Sequence, residues 1–429
     1  MAAYKAPKGT RDVLPEQSYQ WQFLEARIRE IVKKYGFLEA RTPVFEHTEL
    51  FLRGVGETTD IVQKEMYTFL DKGERSITLK PEGTAGIVRM FVENNLFADT
   101  QPTKMYYLYS PTFRYERPQA GRLREHHQFG VEFFGASKPS ADAECIAVAA
   151  ELLQSLGCDG LTVRLNSIGD PNCRPNYHAA LKDYLRDHYD DLCETCKVRF
   201  ETNPLRVLDC KVESCQKIAN GAPVIGDYLC DDCREHQTQL LKLLDGMGLK
   251  YEIDPRLVRG LDYYTKTVFE ITSENIGSQS AVCGGGRYDG LVEEIGGPHT
   301  PGVGFGLGME RLLLVLENIG VTIEKPVRYD LYIASMGADA EERAFLLAQG
   351  VRDFGEKVEI DHMGRSIKAQ MKYADKIGAR YVLVIGEDEL KKGEAKLKRM
   401  KDGKERTIGL DAVSIMNSII SDDLGSETI

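Results

Sequence analysis

Around residues 125–135 the polarity of the chain changes with a period of two. Phe129, Val131 and Phe133 alternate with Gln128, Gly130 and Glu132, the pattern of a half-buried strand. Gln128 and Glu132 therefore share one face, roughly 13 Å apart at about 3.3 Å per residue. The side-chain-free Gly130 between them leaves room for something small to lie on the sheet. An earlier strand ends at Phe113, and the loop joining the two carries Arg114, Arg117, Arg122 and Arg124. Guanidinium groups are well suited to phosphate oxygens, although a merely solvated hairpin loop has the same pattern.

The other elements can be placed around this hairpin. A turn-rich lead-in, Gly9 to Glu16, precedes a helix of about 17–35, where Phe23, Ile28, Ile31 and Val32 fall near helical spacing and Gly36 supplies the stop. Phe37 to Phe45 reads as a strand whose Pro43 points to an edge or a bulge, because proline cannot donate to the ladder. Ile77 to Ala85 passes from strand into a helix running to about Val92, with Glu82 and Thr84 where helix caps belong. A helix at 141–156 and an alternating strand at 161–166 follow. From about 171 to 234 cysteines, prolines and helical spacing replace strand formers, which indicates an inserted helical module.

Leu257 to Ile271 turns a corner into another alternating strand. Glycines at 302, 304, 306 and 308 then alternate with Val303, Phe305 and Leu307, giving a strand with one apolar face and one bare face, followed by a helix that begins near Arg311. Interior glycines weaken a strand, and the close approach of a flat ligand is one reason to keep them; Arg311 is placed to stack over it. After a linker at 323–328, strands and helices alternate from Tyr329 to Gly386, the pattern of a small α/β domain.

At 429 residues the chain is expected to form two or three units. Apolar content of 42% with 28% charged residues suits a protein with packed cores. No apolar run is long enough to span a membrane, and the first residues lack the apolar core of a secretory signal, so a cytoplasmic location is expected. The net charge of -11 argues against indiscriminate nucleic-acid binding, while leaving room for a shape-specific RNA met by a local basic patch. Lys391, Lys392, Lys396, Lys398, Arg399, Lys401, Lys404 and Arg406 form such a patch, or equally a solvated charged hairpin.

Cys193-x-x-Cys196, Cys210, Cys215 and Cys230-x-x-Cys233 crowd the insertion. Thiolates two residues apart are typical of tetrahedral zinc sites, but the gap between the two close pairs exceeds the usual spacing. Reduced, partly buried cysteines are therefore expected, and no metal ligand set is assigned. There is no Gly-x4-Gly-Lys phosphate loop, and the glycine spacing at 302–308 does not fit a dinucleotide fold.

Arg114-x-Glu116 followed by Arg122 resembles the second signature motif of class II aminoacyl-tRNA synthetases. Arg259-Gly-Leu-Asp-Tyr-Tyr264, Pro81-Glu-Gly-Thr84 and Gly284-Gly-Gly-Arg-Tyr-Asp-Gly290 resemble histidyl-tRNA synthetases in particular. The resemblance implies an α+β fold: a class II antiparallel sheet flanked by helices over 1–325, a helical insertion at about 171–234 reaching the tRNA acceptor stem, and an α/β anticodon-binding domain over 326–429. It implies ATP-dependent ligation of L-histidine to tRNA(His) through histidyl-adenylate, in a homodimer built on the helix and strand of residues 17–45. Histidine binding falls to Glu82, Gly83, Thr84, Arg114, Gln128, Glu132, Arg259, Tyr263 and Tyr264, with Arg259 and Arg114 catalytic at the α-phosphate. ATP with Mg²⁺ falls to Arg114, Glu116, Arg122, His126 and Arg311, and the tRNA end to Arg117 and Gln119. His126 departs from the phenylalanine usual at the adenine-stacking position, so some pH sensitivity is expected there. Two alternatives remain: a non-catalytic synthetase-like regulatory subunit of histidine biosynthesis, and a class II synthetase for another amino acid.

Overall fold

The computed structural model describes residues 4–56, 59–119, 121–273 and 281–426, with side chains to residue 422. The first three residues of the N-terminal stretch and Ala120 of the arginine loop lie outside them. Two compact units divide at residue 323.

In the first unit the strands are β1 (Leu38–Glu39), β2 (Phe45–His47), β3 (Tyr67–Leu70), β4 (Ser76–Leu79), β5 (Thr103–Phe113), β6 (Glu125–Phe134), β7 (Leu161–Ser167), β8 (Tyr251–Ile253), β9 (Thr265–Ser273), β10 (Cys283–Arg287) and β11 (Gly302–Gly308). An eight-stranded sheet runs β1-β5-β6-β11-β10-β9-β7-β8, and a three-stranded one runs β2-β4-β3. The large sheet is antiparallel through its middle, but β1–β5 and β7–β8 at its two edges are parallel. The strand expected over Phe37 to Phe45 is divided between the two sheets. Pro43, with no N–H to give a ladder, sits in the gap, and β1 is an edge as expected.

The helices of this unit are α1 (Ser18–Lys34), α2 (Thr48–Val55), α3 (Thr84–Glu93), α4 (Pro139–Ser155), α5 (Arg174–Asp187), α6 (Glu194–Thr202), α7 (Glu213–Gly221), α8 (Asp231–Gly246), α9 (Leu291–Glu294) and α10 (Met309–Asn318). One face of the large sheet is its core. Phe129, Val131, Val303, Phe305, Phe269 and Ile271 meet Leu24 and Ile28 of α1, Ile146 and Leu153 of α4, Leu244 of α8 and Leu312 of α10. Period two on the strands thus meets helical spacing on the helices, and the opposite face is left for polar side chains. The insertion (α5 to α7 and the start of α8) has its own buried residues, Tyr177, Leu181, Leu185 and Ile218 among them.

One ion pair crosses this core. Arg287 of β10 and Asp142 of α4 are both 0% exposed and hydrogen-bond to each other through Nη2 and Oδ2. Arg287 also donates to the Ala136 carbonyl at 2.9 Å and pairs with Asp289 at 3.0 Å. His236 Nε2 of α8 stands 3.3 Å from Asp142.

The second unit continues with strands β12 (Leu331–Ser335), β13 (Val358–Ile360), β14 (Tyr381–Ile385), β15 (Glu394–Arg399) and β16 (Glu405–Gly409), in the order β13-β12-β14-β15-β16. The first three are parallel and the β15–β16 hairpin antiparallel. Its helices are α11 (Ala338–Arg352), α12 (Ile367–Lys376), α13 (Glu387–Lys392) and α14 (Ala412–Ser426). The basic hairpin answers much of its charge itself: Lys396 pairs with Glu405, Arg399 with Asp402, Arg406 with Asp422 and Lys391 with Glu387. No helix among the described residues is long and apolar enough to cross a membrane.

Removing one partner of a buried ion pair leaves the other charged and dry. Asp142→Ala is therefore expected to destabilise the first unit by about 3–5 kcal/mol, read as an earlier thermal unfolding transition. An unchanged midpoint would mean that Asp289 and the backbone carbonyls suffice for Arg287.

Candidate active site

The polar face of the large sheet forms the floor of a 410 Å³ cavity, and its shape depends on missing side chains. A Cβ on Gly130 would lie 2.3 Å from the Tyr107 hydroxyl, and one on Gly83 2.5 Å from the same ring. The room that Gly130 leaves on the sheet is thus taken by Tyr107 of the neighbouring strand, not by a ligand. A Cβ on Gly284 would lie 2.5 Å from the Arg259 guanidinium, and one on Gly304 2.3 Å from Glu132 Oε2. On β11 the bare surface shrinks to Gly306 and Gly308, which line the cavity, with no atom nearer than 3.8 Å to an added Cβ.

One end of the cavity is rich in carboxyls and tyrosines. Glu82 accepts the backbone N–H groups of Thr84 and Ala85, both at 2.7 Å, so it caps α3 while still lining the cavity. Thr84 Oγ1 donates to Glu132 at 2.7 Å, and Tyr288 donates to the other Glu132 oxygen. Glu132 is 0% exposed and lies just beneath the cavity wall. Burial pushes it up to about 8 against the pull of its two hydrogen bonds, with Glu82 adding to the rise. Burial raises Glu82 as well. Tyr263 and Tyr264 close this end, their rings 4.6 Å apart.

Arginines occupy the rest. Burial works against the charge of Arg259, but Tyr264 and Glu270 hold it up, and Arg259 Nη1 donates to the Glu270 carboxylate. Arg114 is oriented by a 2.7 Å hydrogen bond from Nε to the Pro81 carbonyl. Glu116 stands 4.0 Å from Arg114 and 3.5 Å from Arg122. Arg311, at the start of α10, donates to the Ala281 carbonyl at 3.0 Å; burial and then Arg122 lower its proton affinity. The next residue down, Glu310, accepts the His127 backbone N–H at 2.9 Å and ties α10 to β6. Gln128 Oε1 and Arg259 Nε are buried without a hydrogen-bond partner among the described residues, as groups awaiting a ligand would be.

Of the residues expected from sequence, Glu82, Thr84, Arg114, Glu116, Arg122, His126, Gln128, Arg259, Tyr263, Tyr264 and Arg311 line this one cavity. Gly83 backs it through Tyr107. Gln119 faces a separate 740 Å³ cleft between α10 and the N-terminal segment, and Arg117 lines neither. The environment of His126 runs against the expected pH sensitivity: burial, then Arg114, push its pKa down to about 3, which favours the neutral ring near physiological pH. Tyr107, Glu270 and Arg206 were missed. Glu270 had a signal, as the single acidic residue in the otherwise apolar run Val268 to Ile271. Arg206 of the insertion, whose Nη1 donates to the Arg259 carbonyl at 2.8 Å, had none. The whole arrangement can hold an ammonium and a polar ring at one end and a polyanion at the other.

The Glu132 proton should be visible in stability. Its affinity rises from about 4.3 in an unfolded chain to about 8, so its contribution is complete below about pH 4.3 and is lost as pH rises through 8. Compared with Glu132→Gln, the native chain is expected to lose up to about 1.4 kcal/mol per pH unit between pH 6 and pH 8. Denaturation curves of both proteins at pH 6, 7 and 8 check this; a constant difference would mean that Glu132 is already ionised in the fold.

The comparisons with known proteins agree with this geometry. The family model "Histidyl-tRNA synthetase" matches residues 9–170 and 208–312, passing over the first part of the insertion, and "Anticodon binding domain" matches 330–415. The histidine–tRNA ligase of Caldanaerobacter subterraneus subsp. tengcongensis is 62% identical over 409 residues, 95% of this chain and 98% of that one. The ligase of Clostridium perfringens is 55% identical over 418 residues, 97% of this chain and 100% of that one. The apo crystal structure of Staphylococcus aureus histidyl-tRNA synthetase superposes with a TM-score of 0.83 at 40% identity, covering 96% of this chain and 99% of the other. A bare sheet face crossed by arginines, in a chain with such relatives, leaves one assignment: the chain belongs to the histidyl-tRNA synthetase family.

Proposed function

We propose that this chain ligates L-histidine to tRNA(His) in two steps. The histidine carboxylate attacks the α-phosphorus of ATP and pyrophosphate leaves, giving histidyl-adenylate. A terminal hydroxyl of the tRNA then attacks the acyl carbon and AMP leaves. The observation that carries this reading is the seat of Arg259: a guanidinium laid over side-chain-free Gly284, beside Glu270, between the tyrosine end and the arginine end of one cavity. Charge that builds on the α-phosphate in the first step meets a donor already in place, which costs no reorganisation.

The remaining roles are those that the family resemblance implies. Glu82, Thr84 and the Gly83 backbone receive the substrate ammonium with Gln128, while Tyr263 and Tyr264, backed by Glu132, receive the imidazole. Such a pocket rejects amino acids that leave its buried polar groups unpaired. Arg114 shares the α-phosphate with Arg259. The adenine lies on the bare Gly306–Gly308 segment under Arg311, beside His126, with Glu116 on the adenine side and Arg122 at the γ-phosphate. Mg²⁺, when bound with ATP, would supply charge neutralisation at the phosphates, and Glu65 and Glu116 on the cavity wall would present oxygen ligands of the kind it takes. Arg117 and Gln119 meet the tRNA end, the insertion its acceptor stem, and the second unit its anticodon.

A cytoplasmic homodimer belongs to the same reading. Leu38 and Phe45, on the divided edge strands, are 74% and 54% exposed, the kind of apolar edge that a second copy covers. The regulatory-subunit alternative is not favoured, because an anticodon-binding unit is present together with Arg259, Tyr263, Tyr264 and Arg311.

ATP–pyrophosphate exchange without tRNA, run across the standard amino acids, is expected with histidine alone. Arg259→His should lower it by at least about 10²-fold; activity within tenfold of the native enzyme would remove Arg259 from the reaction. Because His126 stays neutral, His126→Phe is expected to change the KM for ATP by the same factor at pH 6 and pH 8. A factor that differs between the two would show that His126 titrates in the working enzyme.

A further inference from the structure

Eight residues that take no part in the reaction gather into two tight sets. Cys193, Cys196, Cys210 and Cys215 form one; Asp170, Cys173, Cys230 and Cys233 form the other. In each set one ligand atom per residue lies within 4.8 Å of all the others. The fold places Cys193-x-x-Cys196 and Cys230-x-x-Cys233 in different sets. The first pair meets Cys210-x4-Cys215, a spacing that suits a zinc ribbon, and the second meets Asp170-x-x-Cys173 at the end of β7.

The distances fit a metal better than they fit disulfides. All these cysteines are free, and Sγ–Sγ is 3.9 Å for Cys193–Cys210 and 3.8 Å for Cys173–Cys233. A disulfide needs about 2.05 Å. Sulfurs about 2.3 Å from a tetrahedral zinc ion stand ~3.8 Å apart. One such contact is ordinary packing, but four ligand atoms converging on one point, twice in one module, is not.

The backbone is arranged for thiolates. Cys215 Sγ accepts the Cys193 N–H at 3.2 Å, Cys173 Sγ the Asp170 N–H at 3.3 Å and Cys210 Sγ the Val212 N–H at 3.5 Å. Such outer hydrogen bonds orient ligands around metals. Cys173, Cys193 and Cys230 are the N-cap residues of α5, α6 and α8, and Cys215 lies in the first turn of α7. Every helix of the insertion therefore starts at one of the sets, where its dipole favours negative sulfur.

We propose that the chain holds two structural zinc ions, one on Cys193, Cys196, Cys210 and Cys215, the other on Asp170, Cys173, Cys230 and Cys233. They fasten the insertion to the catalytic sheet. Arg174, next to Cys173, donates to the Tyr264 carbonyl at 2.7 Å, and Arg206, between the halves of the first set, reaches the Arg259 carbonyl.

The test is metal analysis of the full-length protein purified without chelators. About two zinc ions per chain are expected. Cys193→Ser with Cys210→Ser should remove one, Cys230→Ser with Cys233→Ser the other, and Cys145→Ser, buried outside both sets, neither. Should the paired variants fail to fold, cobalt exchanged into the native protein gives a second reading, since tetrahedral thiolate coordination has an intense visible spectrum. One zinc per chain overturns whichever set its variants show to be empty. Fewer than about 0.2 metal ions per chain with no cobalt uptake overturns both, as does iron in place of zinc.

Discussion

The active site rests on a steric constraint: the middle of the large sheet must carry almost nothing on its polar face. Gly130, Gly284, Gly286 and Gly304 each occupy a point where a Cβ would strike a side chain that the site uses, respectively Tyr107, Arg259, Tyr264 and Glu132. Each interior glycine weakens its strand by roughly 0.5–1 kcal/mol relative to alanine. The opposite face offsets this, since the residues between the glycines are Val131, Phe305 and their neighbours, packed at zero to a few per cent exposure under four helices. Stability comes from one side of these strands and chemistry from the other.

That division also explains the electrostatics. Groups laid flat on a bare sheet are shielded from water, so each must find a partner or lose its charge. Arg259 finds Glu270, and Arg114 finds the Pro81 carbonyl. Glu132, between two hydroxyls and near Glu82, keeps its proton, and His126, beside Arg114, stays without one. Positive charge is thereby kept on the guanidiniums, while burial disfavours the charged forms of Glu132 and His126. On the far side, Arg287 and Asp142 hold β10, the strand that carries Gly284, to α4.

What the sequence revealed and what it concealed follow the range of the interactions involved. The hairpin at 113–135, the glycine strand and the loop arginines are local patterns, and they stand where periodicity puts them. The purpose of Gly130 was misread because its neighbour, Tyr107, comes from another strand. Arg206 was invisible for the same reason, being recruited from an insertion whose own pattern is only helical. The cysteines show the effect most plainly. Sequence spacing could not match the two Cys-x-x-Cys pairs to partners, whereas the fold joins one to Cys210 and Cys215 and the other to Asp170 and Cys173 at the end of β7. His126 could be located by its motif but not titrated by it, since its charge depends on burial and on the guanidinium of Arg114. The parallel edges β1 and β8 depend on how α1 and α8 return the chain, which no strand pattern records.

The insertion is therefore more than an appendage of the catalytic unit. Its helices α6 and α7 are short, nine residues each, and bury two and three side chains respectively, a cysteine of the first set among them in each case. Short modules of that kind ordinarily rely on cross-links or ligands for rigidity. Yet Arg174 fixes the backbone of Tyr264, Arg199 reaches Asp60 on the cavity rim at 2.7 Å, and Arg206 fixes the backbone of Arg259. Two of these arginines grip the main chain of the site and one its rim. A loosening of the insertion would therefore be felt first at the backbone of Tyr264 and Arg259, and not on the glycine strand β11, which pairs with β6 and β10. The insertion is thus tied to the tyrosine end of the cavity and to the seat of Arg259 through hydrogen bonds to their main chain.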